Sequence, residues 1–422
     1  MKKISVLFII ACSFLLFQTP MGFAQQATEA TIPIRGRVIA DDSGVALEYA
    51  SVTINNTNIS TVTNQDGFFS LRIPVSAKNY QLKVQHLGYN NIAIPVIILI
   101  DKDDNVLRMS LASIQLSEVE VLSGDGTELV KEALRSVTKN YDSDPNMMVA
   151  FYREAIKKGS KYISLVEAVL DVYKASYKSF RNDEAKIYIG RKATDISPRD
   201  TVLMKFQGGI SNSLMLDIAK HPEIVFGKEG EGYTFNIEGL ATMDDKPHYL
   251  IDFFQNVNYD DILFRGKIYL DVESLAFKRM EFNMNVEGRK DAASIFIKKK
   301  PRTMRITAES AKYVVDYVEQ NSKWYFNYSN TEVTFKVRWK RRFFGLFATS
   351  YTLLSEVAIT DRYEDNVQRF PRSERIRSTD VIAEKVEYFQ DVDFWGDYTV
   401  IEPDKEITNA IKRLSDKLLR RE

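Results

Sequence analysis

Lys278-Arg279-Met280-Glu281-Phe282-Asn283-Met284-Asn285-Val286 decides the fold. Met280, Phe282, Met284 and Val286 fall on one side of an extended chain, and Arg279, Glu281, Asn283 and Asn285 on the other. A period of two belongs to a strand with one buried face. The pattern returns in Glu332–Lys340, where Val333, Phe335, Val337 and Trp339 alternate with Thr334, Lys336, Arg338 and Lys340. Trp324, Phe326 and Tyr328 follow the same rule. One wet and one dry face is the mark of an antiparallel sheet, and no strand–helix–strand alternation interrupts it. The stretch 127–422 is therefore expected to be an antiparallel-sheet α+β domain with a few packed helices.

Upstream, Val149–Ala155 and Tyr162–Val169 flank the turn Lys158-Gly159-Ser160, which predicts a hairpin. Ser123-Gly124-Asp125-Gly126 reads as a joint, with Thr127 placed to cap a helix running to about Tyr141. A second helix is expected near Ser211–Lys220. Near the end, Pro403 opens a helix whose Ile407, Ile411, Leu414 and Leu418 form an apolar stripe for docking on the sheet.

Before the joint, residues 33–116 alternate short strand patterns with turn signals, as a small β-sandwich requires. Ala50–Ile54, Thr61–Thr63 and Phe68–Ile73 are separated by Asn55–Asn58 and by Asn64-Gln65-Asp66-Gly67. Ile92–Ile100, interrupted by Pro95, is expected as a buried strand pair. His86 follows Leu82 and Val84 at period two, so a hydrogen-bonded core histidine is expected. Asp101–Asn105 lacks the glycine and glutamate of a calcium loop and is read as solvated.

Gly36-x-Val38, Ala46-Leu47-x-x-Ala50-x-Val52, Thr63-Asn64-Gln65-Asp66-Gly67-x-Phe69 and Gly88-Tyr89 resemble the carboxypeptidase regulatory-like domain. The resemblance implies a transthyretin-like sandwich, common at the start of exported Bacteroidetes proteins, and implies no peptidase chemistry. Ala46 and His86 depart from the usual pattern. The hairpin Gly266–Asp271, turn, Leu275–Val286 is similar to one in lipoprotein-carrier-like half-barrels, in which a curved antiparallel sheet encloses an acyl chain. The stretch from about 127 to 422 also resembles exported Bacteroidetes proteins with the same sandwich in front, a likeness that brings no activity with it. The fold class expected is thus mainly β: a small transthyretin-like sandwich followed by a larger antiparallel domain.

Residues 1–24 read as a secretory signal, with Lys2 and Lys3, the apolar run Ile4–Phe17, and Gly22 and Ala24 at the cleavage positions. Ile9-Ile10-Ala11-Cys12 offers the competing outcome of a lipidated Cys12. Cleavage after Ala24 would remove the only cysteine, which suits an oxidising compartment. The next apolar run is too short to span a bilayer, so the mature chain is expected without a transmembrane segment, in the periplasm or at the outer membrane.

Lys and Arg together number 57, as do Asp and Glu, so the chain is formally neutral and nucleic-acid binding is not expected. One cysteine and three histidines leave little for metal or triad chemistry. Phosphate-loop, His-Glu-x-x-His and Gly-x-Ser-x-Gly motifs are missing from the sequence. No catalytic, cofactor-binding or metal residues are assigned. Asp244-Asp245 and Asp260-Asp261 are acid pairs, the first read as a hairpin tip, and His221 and His248 sit beside prolines.

The candidate membrane or partner contact is Arg338, Lys340, Arg341, Arg342, Phe343, Phe344 and Phe347, cations running into an aromatic tip. Its plainer reading is a solvated strand face with the phenylalanines in the core. The function expected is a non-enzymatic envelope protein that binds an apolar or glycan ligand, a lipid or an outer-membrane partner. The alternatives are an exported hydrolase of glycans or peptides using scattered carboxylates, and a structural assembly factor of the outer membrane.

The two processing outcomes separate by mass. Intact mass of the protein taken from its envelope is expected to place the first residue at Gln25, whereas a chain beginning at an acylated Cys12 would establish lipid anchoring.

Overall fold

Strands make up most of the computed structural model, which describes residues 30–102, 104–112, 124–195, 209–227, 230–256, 261–297, 304–339, 348–388 and 394–419. Seven strands form the N-terminal sandwich: β1 (Thr31–Ala40), β2 (Ser51–Ile54), β3 (Ser60–Val62), β4 (Phe68–Pro74), β5 (Gln81–Gln85), β6 (Ile92–Pro95) and β7 (Asn105–Met109). One sheet has the order β4-β1-β7 and the other β3-β2-β5-β6. Ile34, Val38, Val52, Phe69, Leu71, Leu82 and Val84 fill the space between them. The Asn64–Gly67 turn works as its residues predict. Asn64 Oδ1 accepts from the amides of Asp66 and Phe68, and Gly67 takes φ +80° with no room for a Cβ against the Val38 carbonyl.

Ile92–Ile100 is not a strand pair. Pro95 has no N–H to continue a ladder, so β6 stops there and a single 3₁₀ turn follows at Val96–Ile98. Val96 and Leu99 are buried while Ile97 and Ile98 are more than half exposed. His86 is half-buried and its ring nitrogens lie 3.0 and 3.2 Å from the carbonyls of Leu87 and Glu48.

The rest of the chain builds one large sheet. Its elements are β8 (Gly124–Asp125), α1 (Thr127–Arg135), α2 (Val137–Asn140), β9 (Asn146–Lys158), β10 (Lys161–Lys174), β11 (Glu184–Thr194), α3 (Gly209–Met215) and α4 (Glu223–Phe226). They continue as β12 (Tyr233–Met243), β13 (Lys246–Gln255), β14 (Phe264–Asp271), β15 (Phe277–Met284), α5 (Ala293–Phe296) and β16 (Met304–Gln320). The last are β17 (Lys323–Trp339), β18 (Ala348–Tyr363), β19 (Glu387–Tyr388) and α6 (Lys405–Leu419). The order is β19-β11-β10-β9-β18-β17-β16-β15-β14-β13-β12-β8, antiparallel throughout except for the short β11–β19 pair.

Helix ends differ from expectation in instructive ways. Thr127 is the first residue of α1 and not its cap: the N-cap is Gly126, and the Asp125 carboxylate just before it accepts from the Thr127 amide at 2.9 Å and from the Thr127 hydroxyl. The helix breaks at Ser136, and Tyr141 lies beyond α2 as a buried extended residue. The second helix is α3, ending at Met215 instead of reaching Lys220. Pro403 precedes α6, whose cap is Asp404, accepting from the Ile407 amide at 2.7 Å.

The sheet has two covered faces. On the inner face, α1 to α5 pack over Val166, Ala168, Met280, Phe282, Val333 and Phe335. Phe226 of α4 meets Tyr233, Phe235, Phe253 and Phe277 with ring centroids 5.7–6.4 Å apart. On the outer face, the sandwich and the C-terminal segment cover β9, β10 and β18. Val62 of β3 joins Phe151, Val169, Tyr328 and Ile401 in one cluster. Ser60 Oγ donates to the Ile359 carbonyl at 2.7 Å, and Asn64 Nδ2 to the Glu402 carbonyl at 2.9 Å. Ile407 and Ala410 of α6 pack on Ala155, Tyr162 and Leu165.

Beneath that cover runs a row of charges. The register places Arg191, Glu167, Arg153 and Glu356 side by side on β11, β10, β9 and β18. Arg153 Nε and NH1 donate to Glu167 at 2.9 Å and Glu356 at 3.0 Å, and NH2 donates to the Ile401 carbonyl at 2.7 Å. Arg191 Nε reaches the other Glu167 oxygen at 2.9 Å, and its guanidinium lies 4.6 Å from the Trp395 ring. Each buried charge has its opposite beside it, which is the condition for keeping ions out of water.

Removing the middle cation should therefore cost far more than removing an exposed one. Arg153→Met is expected to lower the urea-unfolding free energy by about 3–5 kcal/mol, because Glu167 and Glu356 lose their shared partner. Lys336→Ala, which breaks only the exposed pair with Glu309, is expected to cost under about 1 kcal/mol.

Candidate functional site

The inner face does not close completely. Between α3, α5 and strands β14 to β18 lies a cavity of about 290 Å³, near the lower end of the ~300–1,000 Å³ typical of small-molecule sites. Phe264, Phe282 and Tyr313 form an aromatic wall, with Tyr313 stacked on Phe282 at 5.0 Å and Phe264 edge-on to both. Val333 and Leu353 line the floor, Met215 and Leu216 come from α3 and the turn after it, and Ile295, nearly half exposed, stands at the rim. The wall follows from sequence. Phe282 and Met284 point inward from β15 because the strand's alternation sends Arg279, Glu281 and Asn283 to the opposite face, and Val333 does so from β17 opposite Leu353.

One end of the cavity is polar. Glu154 reaches it from β9 and, among the described residues, is its only ionisable acid or base besides the Tyr313 phenol. Tyr152 donates to Glu154 Oε2 at 2.9 Å, Ser355 Oγ lies 3.4 Å from the Tyr152 hydroxyl, and Ser213 Oγ lies 2.9 Å from Ser355 Oγ. The register sets Glu154 between Val166 and Ser355, so neither cross-strand neighbour brings a positive charge. Burial pushes its carboxyl above the usual value of 4.5, and the bond from Tyr152 offsets only part of that.

The roof over this end is pinned by a second buried network. Asp217, just past α3, accepts from Lys174 at 2.5 Å, Tyr177 at 2.7 Å and Tyr317 at 3.0 Å. Burial alone would push the Asp217 carboxyl up, yet the Lys174 charge and these three bonds hold it below the usual range. Ser329 Oγ of β17 also donates to the Ser213 carbonyl at 2.9 Å. Gly209 supplies the close approach, since a Cβ there would lie 3.2 Å from the Tyr152 hydroxyl and 3.1 Å from Ile382.

The residues singled out from sequence fall elsewhere. Arg338 is exposed near the end of β17, and Lys340, Arg341, Arg342, Phe343, Phe344 and Phe347 lie outside the described residues. Asp244 and Asp245 form the two-residue tip between β12 and β13, both at positive φ, and Asp244 pairs with Lys278 at 3.2 Å. Asp261 is described and Asp260 is not, so that pair lies partly outside the described residues. His221 is buried 3.3 Å from Glu223, and His248 is buried with Nδ1 3.0 Å from the Lys246 carbonyl. Among the described residues no group of three metal-ligating side chains converges, and no helix is long and apolar enough to cross a membrane. Glu154 escaped attention in the sequence because nothing adjacent to it marks an acid that will face apolar walls. The one available signal was its parity in β9, where it shares a face with Tyr152 and Ile156.

With the geometry in place, the comparisons divide the chain. Residues 34–121 match the CarboxypepD_reg-like domain. That match covers the sandwich, and the carboxypeptidase regulatory-like unit contributes no residue to the cavity, which opens on the opposite face of the sheet. Two solved structures are similar over longer spans. A DUF1329 family protein from Desulfovibrio piger is 12% identical, with 59% of this chain and 99% of that chain covered and a TM-score of 0.27. A protein of unknown function from Bacteroides fragilis, provisionally described as membrane-associated, is 11% identical, with 80% and 99% covered and a TM-score of 0.16. At these scores neither likeness assigns a fold or a function. No curated protein matches the chain.

The lone acid makes a stability prediction. A carboxyl whose value is raised on folding penalises the folded state once it ionises, and that penalty disappears below its unfolded value. Glu154→Gln is expected to raise the melting temperature at pH 7, with the gain shrinking as the pH falls towards 4.5 and absent below it. A gain that is the same at pH 4 and pH 7 would show that desolvation of this carboxyl is not its source.

Proposed function

We propose that this chain is an exported, non-enzymatic envelope protein that binds an apolar, chain-like ligand in the cavity between its large sheet and α3 and α5. The carrying observation is the cavity itself: aromatic and aliphatic walls meeting a short polar end, which suits a molecule with one greasy part and one polar part. The leader-like residues 1–24 support export. The likeness of the Gly266–Val286 hairpin to lipoprotein-carrier-like half-barrels points the same way. The hydrolase alternative asks for two facing carboxylates, and among the described residues the cavity is lined by one, Glu154.

In this reading the carboxypeptidase regulatory-like sandwich is a support. It seals the outer face over the charge row, so the same strands hold their register while their inner face stays open to a ligand. The geometry around α3 favours a preformed site, because Asp217 and Ser213 tie the roof to β10, β16 and β17.

Filling the space should abolish uptake without unfolding the chain. Leu353→Trp places an indole in the cavity, and is expected to reduce binding of the neutral fluorophore N-phenyl-1-naphthylamine at least tenfold while circular dichroism stays native. Native mass spectrometry of wild-type protein from its own envelope is expected to show a co-purified small amphiphile. Full uptake by Leu353→Trp would place binding elsewhere.

A further inference from the structure

Within that reading, on which this inference rests, we infer that Glu154 is the head-group receptor and that the cavity selects single-chain amphiphiles carrying a cationic amine over those carrying a carboxylate or phosphate. Three observations converge on it. Among the described residues, Glu154 is the only charged group lining the cavity, and the other polar side chains there are serine, threonine, asparagine and tyrosine. The Tyr152 hydroxyl donates to its Oε2 at 2.9 Å, a bond that leaves the second carboxylate oxygen, Oε1, outside it. Among the described residues no lysine, arginine or histidine pairs with it, and its cross-strand neighbours are Val166 and Ser355.

The contrast with the adjacent residue sharpens the point. Arg153, one position away on the outer face, is met by Glu167, Glu356 and the Ile401 carbonyl. Among the described residues, the buried charge on the outer face is neutralised and the inner one has no counter-ion. An ammonium group brings both the charge and the N–H donors that an ionised carboxylate in such a place lacks. A ligand carboxylate or phosphate would instead set like charges side by side where burial already disfavours one.

The aromatic wall fixes the other end of the ligand. Phe264, Phe282 and Tyr313 offer ring faces and edges to an alkyl chain and no charged partner. The head group therefore has one favourable place, beside Ser213, Ser355 and Glu154, and the chain runs towards Ile295 at the rim.

Displacement of bound N-phenyl-1-naphthylamine from the full exported chain tests this directly, using dodecylamine, dodecanol and dodecanoate at pH 7 below their micellar concentrations. Dodecylamine is expected to compete at least about tenfold better than dodecanoate, the scale of one hydrogen-bonded charge pair. In Glu154→Gln that ratio is expected to fall to about threefold or less, with dodecanol competing equally in both proteins. Equal competition by amine and carboxylate in the wild type, or an unchanged ratio in Glu154→Gln, would overturn the head-group assignment while leaving the cavity reading intact. Failure of the wild type to take up the fluorophore at all would overturn both.

Discussion

The pleat of β9 at Arg153-Glu154 is the constraint on which the rest of the molecule turns. Successive side chains of a strand must point to opposite faces, so a cation and an anion adjacent in sequence are sent to environments that never meet. Arg153 goes outward into a row of alternating charges on four neighbouring strands, and Glu154 goes inward among Tyr152, Ser355 and apolar walls. A slip of one residue would reverse both placements and bury Phe151 and Ala155 where Tyr152 and Ile156 now sit. The charge row therefore specifies register as well as contributing contacts. Its members are worth little as isolated pairs, but each is costly to leave alone.

Because both faces of the central strands are covered, their composition departs from the simple wet-and-dry rule. Leu165, Val166, Ala168, Val169 and Leu170 of β10 are all buried, since the sandwich and α6 lie on one side and α3 on the other. The far end of β17 keeps the alternation because its outer face meets water. Lys336 and Arg338 are exposed there while Phe335 and Val337 are buried. The position of the sandwich thus explains where amphipathic strands give way to wholly apolar ones.

A single extra residue in β17 carries comparable weight. Asp316 faces Tyr328 and Tyr317 faces Phe326, so Asn327 has no opposite number and the strand changes phase. Trp324 and Phe326 face the inner core, but Tyr328 joins the outer cluster and donates to Glu356 at 3.0 Å. From Ser329 onward the odd positions point inward. That shift brings Ser329 under α3 and Val333 into the cavity floor. The grouping of Trp324, Phe326 and Tyr328 on one face, expected from their spacing, fails at the last member for this reason. The switch from even to odd apolar positions between Tyr328 and Val333 was the trace it left.

Alternation, turn chemistry and capping residues are local properties, and they determined the strand character of β15 and β17, the Asn64–Gly67 turn, the Asp244-Asp245 tip and a C-terminal helix with a docking stripe. The resemblance of residues 34–121 to a known sandwich was likewise written in short-range motifs. What only the tertiary structure decided was which surfaces those elements share. The order of twelve strands, the seating of the sandwich on the outer face, and the meeting of Glu154 with Phe282 and Val333 all depend on pairings between residues far apart in the chain. Such pairings are chosen by the burial of whole faces together, and no single segment encodes that.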